Sequence, residues 1–174
     1  MEKTEEKIGF KSAWRIDKFR DPKGEIAKAL QAGISIEEAV EKFKQAVIGA
    51  ERMEGNVGLN EGLGELIDII CGLGTPVKWD NANARLGVGN SNVAADPTQT
   101  GLQGATKTFK AMDTGYPQRS NQTAEWRATF GSAEGNHAWE EYTVVNAADD
   151  TGKNLNRKVE SKGTKVSGEI PYVV

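Results

Sequence analysis

At 174 residues, with a formal net charge of -3 and a pI near 5.4, the chain has the length of one ordinary domain. It has no global positive field of the kind that draws proteins onto phosphate backbones, which argues against nucleic acid as a partner. With 37% hydrophobic and 27% charged residues it is too aliphatic to be disordered; no window approaches a membrane span, and the single cysteine forbids an intrachain disulfide.

Met1 to Lys7 carry both signs of charge and lead into no apolar stretch, unlike a secretory signal. From Phe10 to Ile16 the residues Phe10, Ser12, Trp14 and Ile16 alternate against Lys11, Ala13 and Arg15, the period of a half-buried strand. Asp21-Pro22-Lys23-Gly24 reads as a turn, and residues 25–31 as a short helix stopped at Gly33. Ser35 and Glu38 then form a capping box, each able to satisfy an orphan amide of the first helical turn. Behind it Ile36, Ala39, Val40, Phe43 and Val47 fall on one face of a helix over 35–48, with Glu37, Glu41, Lys44 and Gln45 off that face.

Residues 51–58 change towards turns with room for a short strand. Asn60 is placed as N-cap of a second helix over 61–71. Gly62 and Gly64 lower its propensity, so packing must compensate or backbones must approach closely. Cys71 ends the apolar run from Leu66 and is expected to be a buried free thiol. Gly72-Leu73-Gly74-Thr75-Pro76 closes the helix.

After about residue 82 the period becomes two. Ala84, Leu86 and Val88 alternate; Ala124, Trp126, Ala128 and Phe130 alternate against Glu125, Arg127 and Thr129; Tyr142 and Val144 alternate against Glu141 and Thr143. Glycine, asparagine and serine punctuate these runs as in a sandwich or barrel. Residues 170–174 read as a closing edge strand, with Pro171 confining it to an edge. The expected fold class is α+β: an antiparallel β-sandwich-like domain over 79–174, preceded over 1–78 by a strand and two helices, in one folding unit.

Chemistry-bearing patterns are sparse. His137 is the one histidine, far in sequence from Cys71, and neither carries the local signature of a nucleophile family. It reads as a loop histidine bonded to backbone. Glu140 and Glu141 are neighbours, and on a strand they point to opposite faces, so they cannot serve one substrate as an acid–base pair; one is expected to be exposed and the other salt-bridged. One cysteine and one histidine are too few for structural zinc. The oxygen-rich stretch 146–152 lacks the spacing of a calcium loop and reads as a turn. Gly87-Val88-Gly89 lacks the third glycine, the lysine and the helix of a phosphate loop, and Asn121-Gln122-Thr123 is a glycosylation match without a secretory context. Trp14, Trp79, Trp126 and Trp139 read as core in preference to a sugar-stacking platform, because two of them sit in alternating apolar runs. No catalytic residue, metal or cofactor is expected.

Residues 79–168 resemble a family of small proteins encoded among the structural genes of tailed phages. The resemblance rests on Asn81-Ala82-Asn83-Ala84, Leu86-Gly87-Val88-Gly89-Asn90-Ser91, Thr98 to Gly104, Lys107 to Asp113, Gly115-Tyr116-Pro117, Phe130-Gly131, Asn136 to Glu141, Leu155 to Val159 and Gly163-Thr164-Lys165. More distantly, the order of strands and turns is similar to the N-terminal attachment domain of phage tail-collar fibres. Residues 24–48 lie outside the resemblance and read as an inserted helical arm. It implies a non-enzymatic virion component, synthesised in the host cytoplasm, whose partners are phage capsid or tail proteins and copies of itself in an oligomer or lattice.

With no repeats and no heptads after the domain, a compact capsid decoration or adaptor role is expected over a tail or baseplate fibre-attachment protein. A glycan-binding adhesion module using Trp79 and His137 is the alternative from another class. Two contact surfaces are expected: the helix face Ile36, Val40, Phe43 and Val47, to dock on the domain or on a neighbour, and the long polar loop 89–106 with Asn90, Asn92, Thr98 and Gln99.

Overall fold

The computed structural model describes residues 11–173. The strands are β1 (Ala13–Arg20), β2 (Val47–Glu54), β3 (Val57–Gly58), β4 (Arg85–Gly89), β5 (Lys107–Ala111), β6 (Gln118–Ser120), β7 (Thr123–Glu125), β8 (Ala128–Thr129), β9 (Glu141–Val145), β10 (Asn156–Val159) and β11 (Glu169–Val173). The helices are α1 (Glu25–Gln31), α2 (Ile36–Lys42) and α3 (Asn60–Cys71). The fold is α+β and mostly antiparallel β: one sheet runs β2-β1-β11-β8, a second runs β3-β10-β9-β4-β5, and β6-β7 is a separate hairpin.

The two larger sheets share one core. Trp14, Ile16, Met53 and Ala128 come from the first, Leu86, Val88, Tyr142 and Val144 from the second, with Phe130 and Trp139 between them. The pairing Leu86↔Val144 and Val88↔Tyr142 shows why period two governs here: residues in register share a face, and that face is the buried one. Trp14 meets Tyr142 at 5.8 Å between ring centres, and Phe130 meets Trp139 edge-on at 4.9 Å. β1 and β2 from residues 1–78 lie in one sheet with β8 and β11 from 79–174, and β3 pairs with β10, so segments from both sides of residue 78 are interleaved.

The segment from 24 to 46 leaves between β1 and β2 and covers the other face of their sheet. Phe19 points away from the shared core into a second cluster with Ile26, Ala27, Leu30, Ile36 and Ala39, against which Val40, Phe43 and Val47 pack. Glu38 N–H donates to Ser35 Oγ at 3.0 Å, as the capping box requires. The helix ends sooner than its apolar spacing predicts. It stops at Lys42, a short 3₁₀ turn covers Lys44–Ala46, and Val47 begins β2. β-branched Val47 and Ile48 are poor helix formers, and a ladder with β1, in which Phe19 faces Val47, outweighs continuation of the helix.

Arg127 locks this layer to the body. Its side chain is 1% exposed, with Nε donating to Asp113 Oδ2 at 3.0 Å and Nη2 to the carbonyls of Leu30 at 2.5 Å and Ile34 at 3.0 Å. Asp113 also accepts from Thr129 N–H and Oγ1 at 3.0 and 2.7 Å. Leu30 lies in the last turn of α1 and Ile34 in the turn that follows it, so the arginine bridges the buried end of the helix and a buried carboxylate.

Other expectations are corrected. β1 begins at Ala13 and reaches Arg20, ending at the turn that starts with Asp21, while Phe10 lies outside the described residues. Asn60 is the first helical residue, and Leu59 occupies the N-cap position without a side-chain bond. Cys71 is exposed, because the face of α3 that turns inward carries Leu66 and Ile69 instead. The run Ala124 to Phe130 is not one strand: β7 folds back on β6 through Asn121, at φ 51, while β8 joins the first sheet. Trp126 is accordingly half-buried and Arg127 buried, the reverse of the alternation. β11 is not an edge strand, since β1 and β8 flank it. Pro171 is tolerated because β8 pairs only with Tyr172 and Val173, so at Pro171 only β1 is opposite.

Candidate interaction surface

The loop between β4 and β5, residues 90–106, is long and without regular structure, yet its backbone is fixed. Its two ends are zipped: Asn90 N–H donates to the Thr106 carbonyl at 3.2 Å, and Thr106 N–H donates to Asn90 Oδ1 at 3.0 Å. Beneath it lies a buried ion pair. Arg157 Nε donates to Glu141 Oε2 at 2.8 Å, and both side chains are 0% exposed.

Each partner also holds the loop. Glu141 accepts from the backbone amides of Gln103 at 2.9 Å and Gly104 at 2.6 Å. Arg157 Nη1 donates to Gln99 Oε1 at 2.9 Å and to the Ala94 carbonyl at 3.3 Å. Asp150 accepts from Leu102 N–H at 3.2 Å and from Lys107 Nζ at 2.6 Å, and the same ammonium reaches the Leu102 carbonyl at 2.6 Å. Asn60 N–H donates to the Pro97 carbonyl at 2.8 Å, tying the loop to the start of α3.

The glycines of β4 explain how Glu141 gets there. Gly89 is in register with Glu141, and a Cβ on Gly89 would collide with the Glu141 carboxylate. Glu141 therefore runs flat across the strand towards the loop. Gly87 likewise leaves room for Phe109 and Thr143, whose atoms would lie 2.7 and 2.8 Å from an added Cβ. Gly104 is equally constrained, with Asn90 Oδ1 at 2.5 Å from where a Cβ would sit. The Gly-x-Gly pattern is thus a strand stripped of side chains on its outer face, so that a carboxylate and an aromatic ring can fold over it.

Among the loop residues that face outward are Asn92, Val93, Ala94, Asp96, Pro97 and Thr98, with Val93 54% exposed. Hydrogen bonds from the Thr98 side chain and backbone hold the Asp96 carboxyl below the usual aspartate range. Of the residues expected here, Asn90, Asn92 and Thr98 are exposed, Asn90 Oδ1 also holding the loop, whereas Gln99 is half-buried with its side chain accepting from Arg157. The other expected surface is not presented. Ile36 is 5% exposed, and Val40, Phe43 and Val47 are half-buried within the second cluster, so that face is docked on its own domain.

The remaining candidates are occupied by local bonding. His137 Nδ1 lies 2.8 Å from the Ala138 carbonyl and Nε2 3.0 Å from Thr108 Oγ1, the bonding expected of a loop histidine. Glu141 is the salt-bridged member of the adjacent pair, while Glu140 is half-buried and accepts from Ser161 Oγ. In the 146–152 turn, Asp149 accepts from Thr151 N–H and Asn146 Oδ1 from Lys153 N–H. Among the described residues no group of three or more His, Cys, Asp and Glu could hold a metal ion. Trp14, Trp79 and Trp139 are buried, and Trp79 donates its indole N–H to the Lys153 carbonyl, which removes the version of a sugar site built on Trp79.

No family model, curated protein or solved structure matches this chain. The fold and the pinned loop are therefore what bears on its function.

Proposed function

We propose that this chain is a non-enzymatic structural protein of a tailed-phage particle, a capsid decoration or adaptor protein that binds capsid or tail proteins through the outward rim of loop 90–106. The observation that carries the reading is the pinning of that loop from below. A polar loop of this length is ordinarily mobile, and ordering it on binding costs affinity; here Glu141, Arg157 and Asp150 order it in the free protein. Such a rim suits a contact that is weak in one copy and multiplied over a repeating particle. The likeness of residues 79–168 to phage structural proteins points the same way.

The test is co-sedimentation of the purified protein with assembled capsids and, separately, tails of the phage that encodes it. Binding to one of them is expected, and Val93→Asp, at an exposed position, should weaken it without lowering Tm. Absence of binding to either, or binding indifferent to substitutions on the rim, would overturn the proposal.

A further inference from the structure

A second surface, independent of the loop, lies on α3. The two glutamates of this helix are engaged by its own chain: Glu61 Oε1 accepts from Asn154 N–H and Nδ2 at 2.9 and 3.1 Å, and Glu65 Oε1 accepts from Val77 N–H and Asn146 Nδ2 at 2.6 and 3.3 Å. Gly62 faces Asn154 and Leu155 so closely that no Cβ could be added, and Leu66 and Ile69 pack on the shared core. The opposite stripe is apolar and open. Ile67 is 57%, Ile70 74% and Leu73 54% exposed, with Cys71 exposed beside them. A helix that engages both its glutamates with its own chain while leaving Ile67 and Ile70 in solvent departs from the usual amphipathic arrangement.

We infer that two copies of this chain pair through the stripe of Ile67, Ile70 and Cys71 on α3 together with Leu73 just beyond its C-cap. The exposed area of these residues is on the order of 400 Å², close to the ~450 Å² of apolar surface that one side of a standard interface supplies. The stripe carries no charge, and α3 has no basic residue, so a charged partner finds no complement on it. A copy of the same stripe does, because a twofold axis sets apolar residues against apolar residues in both directions. Gly64, one turn before Ile67 and with open space where a Cβ would stand, lets the second backbone come close.

The inference goes beyond the proposed function and is tested apart from particles. Sedimentation equilibrium of the full chain across the micromolar range should show a monomer–dimer equilibrium. The double substitution Ile67→Glu/Ile70→Glu should weaken dimerisation by more than about 30-fold, the loss that defines an interface hot spot. Both positions are exposed, so at a concentration where the native chain is monomeric Tm should not fall, and a far-UV spectrum checks the fold. Alkylation of Cys71 should slow as concentration rises in the native chain and not in the double variant. A native chain that stays monomeric throughout, whether the stripe is covered by residues 1–10 or by nothing, overturns the inference. So does a dimer that survives the double substitution, or association seen only with lipid vesicles. A negative result here with positive particle binding leaves the loop reading standing, and the reverse leaves the dimer standing.

Discussion

Replacing Glu141 by alanine attacks the loop at its foundation. The substitution strands the Arg157 guanidinium, which is wholly buried, and removes the acceptor of the Gln103 and Gly104 amides. Truncating one member of a buried pair costs about 3–5 kcal/mol, because the surviving charge keeps its desolvation penalty and loses its compensation. In a domain of this size that lowers Tm by roughly 6–20 °C. Arg157→Met alone leaves the carboxylate buried and is expected to cost a similar amount. The double variant removes both charges and leaves chiefly the two unpaired amides, so it should lose clearly less than the sum of the singles. Urea unfolding of the four proteins gives the coupling, and hydrogen exchange at Gln103 and Gly104 reports the loop directly; both amides should lose protection in the alanine variant. Additive losses, or protected loop amides without Glu141, would refute the claim that this pair orders the loop.

Other outcomes follow from the same geometry. Arg127→Met should cost about 3–5 kcal/mol and raise hydrogen exchange in α1 and α2 before the rest of the molecule, since it leaves Asp113 unpaired and frees the helical layer. The α3 glycines should respond with opposite signs in melts at a concentration where the chain is monomeric: Gly62→Ala destabilises by collision with the backbone at 154–155, whereas Gly64→Ala, facing open space in the single chain, stabilises by up to about 1 kcal/mol. Acid should lower Tm in part through Glu51 and Glu134. Burial raises both, but Lys18 and Lys162 outweigh it for Glu51, and Lys110, the Gly131 amide and Lys165 outweigh it for Glu134, leaving both carboxyls below the usual range. A lowered folded value means that the stabilisation is present above the ordinary glutamate pKa of about 4.3 and is lost as pH falls through the lower folded one. Asp113 acts in the other sense: burial raises its carboxyl against the bonds from Thr129 and Arg127, so the folded state takes up that proton sooner and Asp113 adds nothing to the acid loss. Melts of Glu134→Gln should show a shallower decline between about pH 5 and pH 3 than the native chain.

The loop itself could be seen in the sequence, but its anchors could not. Residues 89–106 announce themselves by polarity and glycine, whereas nothing local marks Glu141 as reaching under them, since it sits in a strand beside an ordinary-looking Glu140. The strand glycines Gly87 and Gly89 were the available signal, but their meaning depends on which residues face them across the ladder. The helical face at 36–47 misleads for a related reason. Its periodicity correctly marks burial at Ile36 and Ala39, yet periodicity does not say against what, and the partner is Phe19 of its own sheet.

Local pattern was sufficient wherever the deciding contacts are near in sequence or repeat with the backbone. The turn at 21–24, the Ser35 cap, the end of α3 at left-handed Gly72 and the alternation of Leu86, Val88, Tyr142 and Val144 are such cases. Tertiary structure alone decided that Val47 leaves the helix for a strand, that Arg127 and Arg157 are interior, that Cys71 faces out and that β11 lies between two neighbours. In each of these the pattern of neighbouring residues is compatible with both outcomes. The balance is tipped by partners far along the chain, which a window of neighbouring residues does not contain.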